Sequence, residues 1–542
     1  MAQKYRSALS LVLGLLAVSA FGQAPQPESV TVAMRDGTKL ATDIYRPEGD
    51  GPFPVVLART YYPRKMGAGF GAVLTAKGMV FVIQDNRGRG DSEGEDRVFQ
   101  DDGWGEHEDG EDTVLWIREQ DWCNGEVGTF GMSALGVTQY LLSGTGVKLD
   151  AQAVWVGSGD FYGQMSYRGG VFRKNMIEGW TAANNSSHIV PVWKSHPTDD
   201  AFWKGFDSDA RAAQATAPAL HIGGWWDIFS QGTIDAFVSR LHHGGEDAKG
   251  NQRLVMGAWT HGGAPDNKVG ELPLLDNNKF DMNGASLEFL GHWLQGTESD
   301  LVEGPAVQYY TVGDTSDPDA PGNEWRTADD WPPFETAETP LYLAGDGQLA
   351  WEEQKAKPVT FTYDPADPCP TRGGTNLILP AGSFDQSDLA ERPDVIAFAT
   401  EPLETPIEIT GRVKVRLFVS TDAPDTDFTA KLLDIYPDGR AMQMLDGIQR
   451  VKFRNGFDKA DPLEPGKVGE LEIDLWSISL IVNKGHRIGL HVSSSNFPAF
   501  EINPNTGEDF PSEGGELRKA VNTVYMDAEH PSAVLLPVRP AE

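Results

Sequence analysis

Cysteine is nearly missing from the 542 residues: only Cys123 and Cys369 occur. Two thiols build no disulfide framework, and no CxxC or Cys/His cluster marks a metal site. A single disulfide stays open for an exported chain, but spacing alone does not bring the two together, and unpaired thiols are the expected state. Positive charge is scarce as well. Lys and Arg total 45 against 79 Asp and Glu, for a net charge of −34. A surface this acidic repels phosphate, which argues against nucleic acid and against anionic membranes as partners. Beyond the first residues no apolar run is long enough for a bilayer span, so no membrane insertion is expected of the mature chain. The 60 Gly and 35 Pro follow no G-x-y period, and no internal repeat or low-complexity segment is present. The remaining composition, 40% hydrophobic and 23% charged, is that of a folded protein. The length suits about three to four domains.

The one long apolar run, Ala8 to Phe21, follows Lys4 and Arg6 and ends in small residues, with Ala20 and Gly22 at a −3/−1 spacing. Charge, apolar stretch and small-residue end together predict a secretory signal peptide over residues 1–22, hence a periplasmic or secreted protein. The run is short for an uncleaved anchor.

Short apolar runs then alternate with helix-like stretches. Strands are predicted at Phe53–Arg59, Met79–Gln84, Val127–Phe130, Ala151–Val156, Ala219–Ile222 and Arg253–Met256. Helices are predicted at Glu108–Gln120, Ala134–Ser143, Gln231–His242 and Ala285–Gln295. This alternation predicts an α/β fold around a parallel sheet, over residues 23–157 and 216–335. Residues 158–215, rich in Trp, Gly, Asn and His, break the rhythm and are expected to form a lid or cap. From about residue 336 to 542 helical periodicity disappears. Short β-rich segments separated by turns such as Pro437-Asp438-Gly439 predict a C-terminal β-sandwich or jelly roll.

The strongest chemical signal is Gly128-Thr129-Phe130-Gly131-Met132-Ser133-Ala134-Leu135-Gly136, between a predicted strand and a predicted helix. A nucleophilic serine needs this setting, because the sharp turn exposes Oγ and the helix N-terminus favours developing negative charge. The glycine falls one position later than in G-x-S-x-G. By itself a Gly/Ser turn without chemistry accounts for the pattern equally well. Two further residues strengthen it. Asp227 follows the strand Ala219–Ile222, where an orienting carboxylate belongs, and His261 follows the strand Arg253–Met256, where a base belongs. The order Ser, Asp, His is that of α/β-hydrolases. His188, His196, His221, His242, His243 and Asp235 compete less well, because they fall within a strand, on helices or in the predicted lid.

The whole mature chain resembles the CocE/NonD hydrolases, the group of cocaine esterase, α-amino-acid ester hydrolases, glutaryl acylases and X-Pro dipeptidyl-peptidases. The likeness is carried by Val30–Arg46, by Gln84-Asp85-Asn86-Arg87-Gly88-Arg89-Gly90-Asp91-Ser92-Glu93-Gly94, by Trp122 to Gly128, by the Ser133 motif with its G-x-S-x-x-G spacing, by Gly224-Trp225-Trp226-Asp227 and by Asp364 to Thr371. It implies an α/β-hydrolase domain with a small, mainly helical lid and a C-terminal jelly roll. It also implies Ser133 as nucleophile, Asp227 as orienting acid and His261 as base. The oxyanion hole would be the Tyr62 hydroxyl and the Ala134 N–H, with Tyr61 standing where the family has proline and competing for the tyrosine's place. Trp180, Trp193, Trp203, Trp225, Trp226 and Trp259 hint at an aromatic acyl pocket; core packing is expected of most, and Trp225, Trp226 and Tyr61 are the candidates for substrate contact. The implied activity is hydrolysis of a small ester, amide or short peptide without metal or organic cofactor. An X-Pro dipeptidyl-peptidase and a catalytically silent binding protein are the alternatives, and homo-oligomerisation stays open. The acids that bind a substrate ammonium in the amino-acid ester hydrolases are replaced after Asp227 by Ile228, Phe229 and Ser230, which leaves Asp160 or Glu178 as possible substitutes.

Overall fold

The computed structural model describes residues 26–264 and 267–540; the predicted signal peptide lies outside them. In the first half, apolar strands assemble a ten-stranded sheet. Its strands are β1 (Glu28–Ala33), β2 (Lys39–Tyr45), β3 (Phe53–Thr60), β4 (Val80–Asp85), β5 (Cys123–Met132), β6 (Ala151–Trp155), β7 (Ala219–Trp226), β8 (Gln252–Thr260), β9 (Val307–Thr311) and β10 (Glu324–Ala328). The spatial order is β1-β2-β4-β3-β5-β6-β7-β8-β9-β10. Pairing is parallel from β4 through β9 and antiparallel at both edges. The central strands are buried on both faces, which is why they read as continuous apolar runs rather than as alternation.

The covering helices are α1 (Ala68–Ala76), α2 (Asp109–Arg118), α3 (Ala134–Ser143), α4 (Lys174–Ala183), α5 (Ile189–Lys194), α6 (Ala201–Lys204), α7 (Ser230–His243) and α8 (Met282–Gln295). In α2, Asp109, Glu111 and Asp112 sit in the first turn and Arg118 in the last, each sign at its favourable end of the helix dipole. The sequence gives no warning of α1, AGFGAVLTA. A Cβ at its Gly71 would lie 2.7 Å from the Tyr45 ring, so close approach to the sheet requires glycine at the expense of helix propensity. Strand β10, half-exposed at the sheet edge, carries no apolar pattern and is likewise unforeseen.

Between β6 and β7 the chain forms a π-helical turn (Phe161–Ser166), a two-residue hairpin (Tyr167–Arg168 with Val171–Phe172) and then α4 to α6. The Asp160 carboxylate caps the turn, accepting from the Gly163 N–H at 2.8 Å. Trp193 and Trp203 lie inside this segment, with ring centroids 6.0 Å apart, in a hydrophobic cluster that also takes in Tyr61, Val137 and Phe229 outside it.

The second half forms an eleven-stranded sheet that curls into a β-sandwich. Its longest strands, Ile407–Thr421 and Gly469–Val482, pair antiparallel, with a bulge at Val413/Lys414 where Trp476 has a φ of +73°. Strands Ala520–Tyr525 and Ala533–Val538 were not foreseen. One hydrophobic core joins the two halves, running from Trp225, Trp226 and Tyr309 to Leu341, Val413 and Ile478. Main-chain bonds stitch the seam, with the Val312 N–H donating to Ser479 at 2.9 Å and the Ile481 N–H to Val312 at 2.8 Å. Among the described residues no helix is long and apolar enough to cross a membrane, both cysteines are free, and no cluster of three or more His, Cys, Asp or Glu is placed to hold a metal.

Candidate active site

Strand β5 ends at Met132 and α3 begins at Ala134, so Ser133 alone makes the turn, with φ +57° and ψ −123°. A non-glycine residue in this region stores on the order of 1–3 kcal/mol of backbone strain. The flanking glycines make it possible. A Cβ on Gly131 would lie 2.4 Å from the Leu135 Cβ, and one on Gly136 would lie 2.9 Å from the Trp155 carbonyl oxygen. The late glycine of G-x-S-x-x-G therefore marks where α3 rests on β6. Gly131→Ala is expected to push Leu135 and the turn apart. It should cost about 1–3 kcal/mol of stability and slow fluorophosphonate labelling of Ser133, checked by thermal denaturation and labelling kinetics.

Strand β7 extends past the predicted end, through Gly223 to Trp226, and delivers Asp227 immediately after it. Strand β8 likewise runs to Thr260 and delivers His261. Both side chains are buried. His261 Nε2 lies 2.8 Å from Ser133 Oγ, and His261 Nδ1 lies 2.5 Å from Asp227 Oδ2. The other Asp227 oxygen accepts the Phe229 N–H at 2.7 Å, which fixes the carboxylate plane. Carboxylate, imidazole and hydroxyl thus form one hydrogen-bonded line, the arrangement in which imidazole can take the hydroxyl proton.

The two tyrosines separate. Tyr62 shares the wall of one cavity with Ser133, and its hydroxyl oxygen accepts the Trp180 indole N–H at 3.1 Å. Burial pushes the Tyr62 phenol up, so it stays a neutral donor. The Ala134 N–H is the first of α3 and has no carbonyl within its own helix to reach. Tyr61 is turned away: its hydroxyl donates to Asp102 at 3.0 Å and accepts the Phe99 N–H. The same Asp102 carboxyl, which burial pushes up to about 6, takes hydrogen bonds from Asn86 and Arg59.

Substrate contact by Tyr61, Trp225 and Trp226 is therefore corrected. Trp225 donates to the Tyr310 carbonyl at 2.7 Å and packs on Trp331, and both tryptophans belong to the core between the two halves. They are the last two residues of β7, and the strand carries both into the packing between the two halves instead of the open edge. Other candidates are also engaged elsewhere. His221 is buried between Tyr140 and Gln252, His196 lies against Asp200, His188 bonds the Asp96 carbonyl, and His242 faces Asp330. Asp235 holds Gln231 and Gln164.

Ser133 is a wall of two cavities. The lid-side cavity, with about 310 Å³ of atom-free space including its mouth, is lined by Phe99, Met165, Met176, Trp180, Phe229 and Leu377. The second, about 570 Å³ on the same measure, runs under α1 between Ala58, Met66, Phe70, Ile83, Phe130 and Leu135, with Tyr62 at its edge. Among the described residues no charged side chain lines either. Ile228 and Phe229 were legible only as neighbours of Asp227. Leu377, from the β-sandwich half, carried no signal at all. The Arg-rich segment at 84–94 builds the surroundings. Arg87 grips Asp109 and Asp36, and Arg89 reaches the lid at the Asn184 carbonyl, 2.6 Å away.

The family model for X-Pro dipeptidyl-peptidase (S15 family) matches residues 36–190 and 181–263. That for the X-Pro dipeptidyl-peptidase C-terminal non-catalytic domain matches residues 303–535. Cocaine esterase of Rhodococcus sp. (strain MB1 Bresler) is 35% identical, over 94% of this chain and 98% of that protein. The aminopeptidase of a marine sediment archaeon, Thaumarchaeota archaeon, superposes with a TM-score of 0.80 at 26% identity, over 96% of this chain and 98% of its own. A CocE/NonD family hydrolase of Staphylococcus aureus superposes at 0.73 with 20% identity, over 94% and 93%. With relatives matched along nearly their whole length and both halves of the chain covered, the protein belongs to the CocE/NonD hydrolases of the S15 family and is a serine hydrolase of α/β-hydrolase fold acting on ester or amide bonds.

Proposed function

We propose that this enzyme hydrolyses uncharged esters, apolar on both sides of the scissile bond, through a covalent acyl-enzyme on Ser133. The observation that carries this reading is that Ser133 borders two apolar cavities free of charged side chains. His261 Nε2 takes the Ser133 proton as Oγ attacks the carbonyl carbon. The oxyanion is held by the Tyr62 hydroxyl and the Ala134 N–H, while Asp227 keeps Nδ1 protonated and stabilises the imidazolium. Collapse expels the alcohol, which takes the proton from His261. Water, giving its proton to His261, then attacks the acyl carbon, and the carboxylic acid leaves as Ser133 is restored.

Dipeptide release from a free N-terminus is the competing reading, and it requires a carboxylate for the ammonium, since a desolvated cation is costly without a partner. Asp160 is committed to capping its own turn and Glu178 to Lys174 and Lys194. A panel pairing acyl p-nitrophenyl esters and benzoate esters with X-Pro p-nitroanilides, each with free and blocked amine, tests the reading. Turnover of the neutral esters with a free amine giving no advantage is the expected result. A higher kcat/KM for free-amine X-Pro amides than for any neutral ester would overturn it.

A further inference from the structure

Arg173 is 3% exposed, and its hydrogen bonds go to main-chain carbonyls instead of a carboxylate. Nη1 donates to the carbonyls of Gln164 and Ile228, the latter at 3.0 Å, and Nη2 donates to that of Thr375 at 3.4 Å. These three acceptors belong to the lid turn, the segment after Asp227 and the β-sandwich half. Each adjoins the lid-side cavity: Met165 follows Gln164, Ile228 is itself lining, and Leu377 lies two residues past Thr375. Arg173 also opens α4, whose Met176, Ile177 and Trp180 form a further wall. Beneath the guanidinium lies the Trp476 ring, 5.5 Å away, which Arg168 also covers at 3.8 Å. A buried cation without a carboxylate partner is costly, and burial pushes this one down to about 9. An apolar residue would fill the space at lower cost without joining the three segments.

We propose that Arg173 is a positioning residue that, by gathering the carbonyls of Gln164, Ile228 and Thr375, holds the Asp227 turn and the walls of the lid-side cavity in register. The inference rests on Ser133, His261 and Asp227 acting as a triad. Through Ile228 it explains how the β-sandwich half reaches the chemistry: Thr375 and Trp476 hold the guanidinium that holds the residue after the orienting acid. The charged groups facing Arg173 are Asp227 from the β7–α7 turn, Arg168 from the lid hairpin and Asp446 from the strand Ala441–Arg450.

Arg173→Met and Arg173→Lys, compared with the wild type, test the proposal by kcat and KM, measured separately, for short and bulky acyl esters, with fluorophosphonate labelling of Ser133 run alongside. A misplacement of about 1 Å costs roughly 100-fold, so Arg173→Met is expected to lose 10- to 100-fold, mainly in kcat. It should also lose discrimination between short and bulky acyl esters, because the walls of the lid-side cavity are no longer held in register. Arg173→Lys keeps the charge but not the fork. It should lose discrimination between acyl sizes while keeping more of the wild-type kcat than Arg173→Met. If Arg173→Met does not fold, Arg173→Lys decides alone. Wild-type selectivity and rate in Arg173→Lys, or in a folded Arg173→Met, would overturn the proposal. An unlabelled wild-type Ser133 would instead overturn the triad on which it rests.

Discussion

Ser133→Ala is expected to lower kcat/KM for a neutral ester by on the order of 10⁴- to 10⁶-fold and to abolish fluorophosphonate labelling. In the proposed mechanism the loss is this large because the hydroxyl oxygen is the attacking atom and its proton passes to His261 Nε2, 2.8 Å away. His261→Ala should cost a similar factor, and the double variant little more, since the members of a catalytic triad act as a unit. Asp227→Asn should fall by roughly 10⁴-fold, because an amide no longer enforces the Nδ1–H tautomer. The fold should survive Ser133→Ala, which relieves no packing and removes one oxygen, so circular dichroism and melting temperature serve as controls. Ester hydrolysis at more than a tenth of the wild-type rate in a folded Ser133→Ala protein would remove the nucleophile from this site.

The second large effect separates two adjacent tyrosines. In the proposed mechanism Tyr62→Phe removes an oxyanion donor, and it is expected to lower kcat by roughly 100- to 1,000-fold with little change in KM. Tyr61→Phe removes a donor from the buried Asp102 carboxyl, whose remaining partners are Asn86 and Arg59. Its expected cost is stability, about 1–3 kcal/mol, with kcat within a few-fold of wild type. Measuring kcat and urea unfolding on both variants checks the pair. A kinetic defect in Tyr61→Phe matching that of Tyr62→Phe would show that the oxyanion site had been assigned to the wrong ring.

Much of the site was legible because a strand's C-terminal edge is a place the sequence marks. An apolar run followed by Gly and a polar residue located Ser133, Asp227 and His261 in order. What failed was side-chain direction near those edges. Trp225 and Trp226 precede Asp227 and looked like substrate contacts, but β7 continues through them and buries both in the core. Tyr61 and Tyr62 could not be told apart from the pattern Arg59-Thr60-Tyr61-Tyr62-Pro63. Their fates depend on Asp102 and Trp180, which lie far away in the chain.

Composition and periodicity determined the α/β first half, the β-rich second half and the order of the candidate catalytic residues, because burial on a sheet and sharp turns leave local marks on a chain. The shape of the cavities was decided only by tertiary structure. Phe99, Met165, Trp180, Phe229 and Leu377 meet from distant segments, and nothing local in any of them records the meeting. The same holds for Arg173, whose carbonyl partners lie up to 202 residues away in the chain. Main-chain acceptors have no sequence signature, so a cation that works through them is visible only once the chain has folded around it.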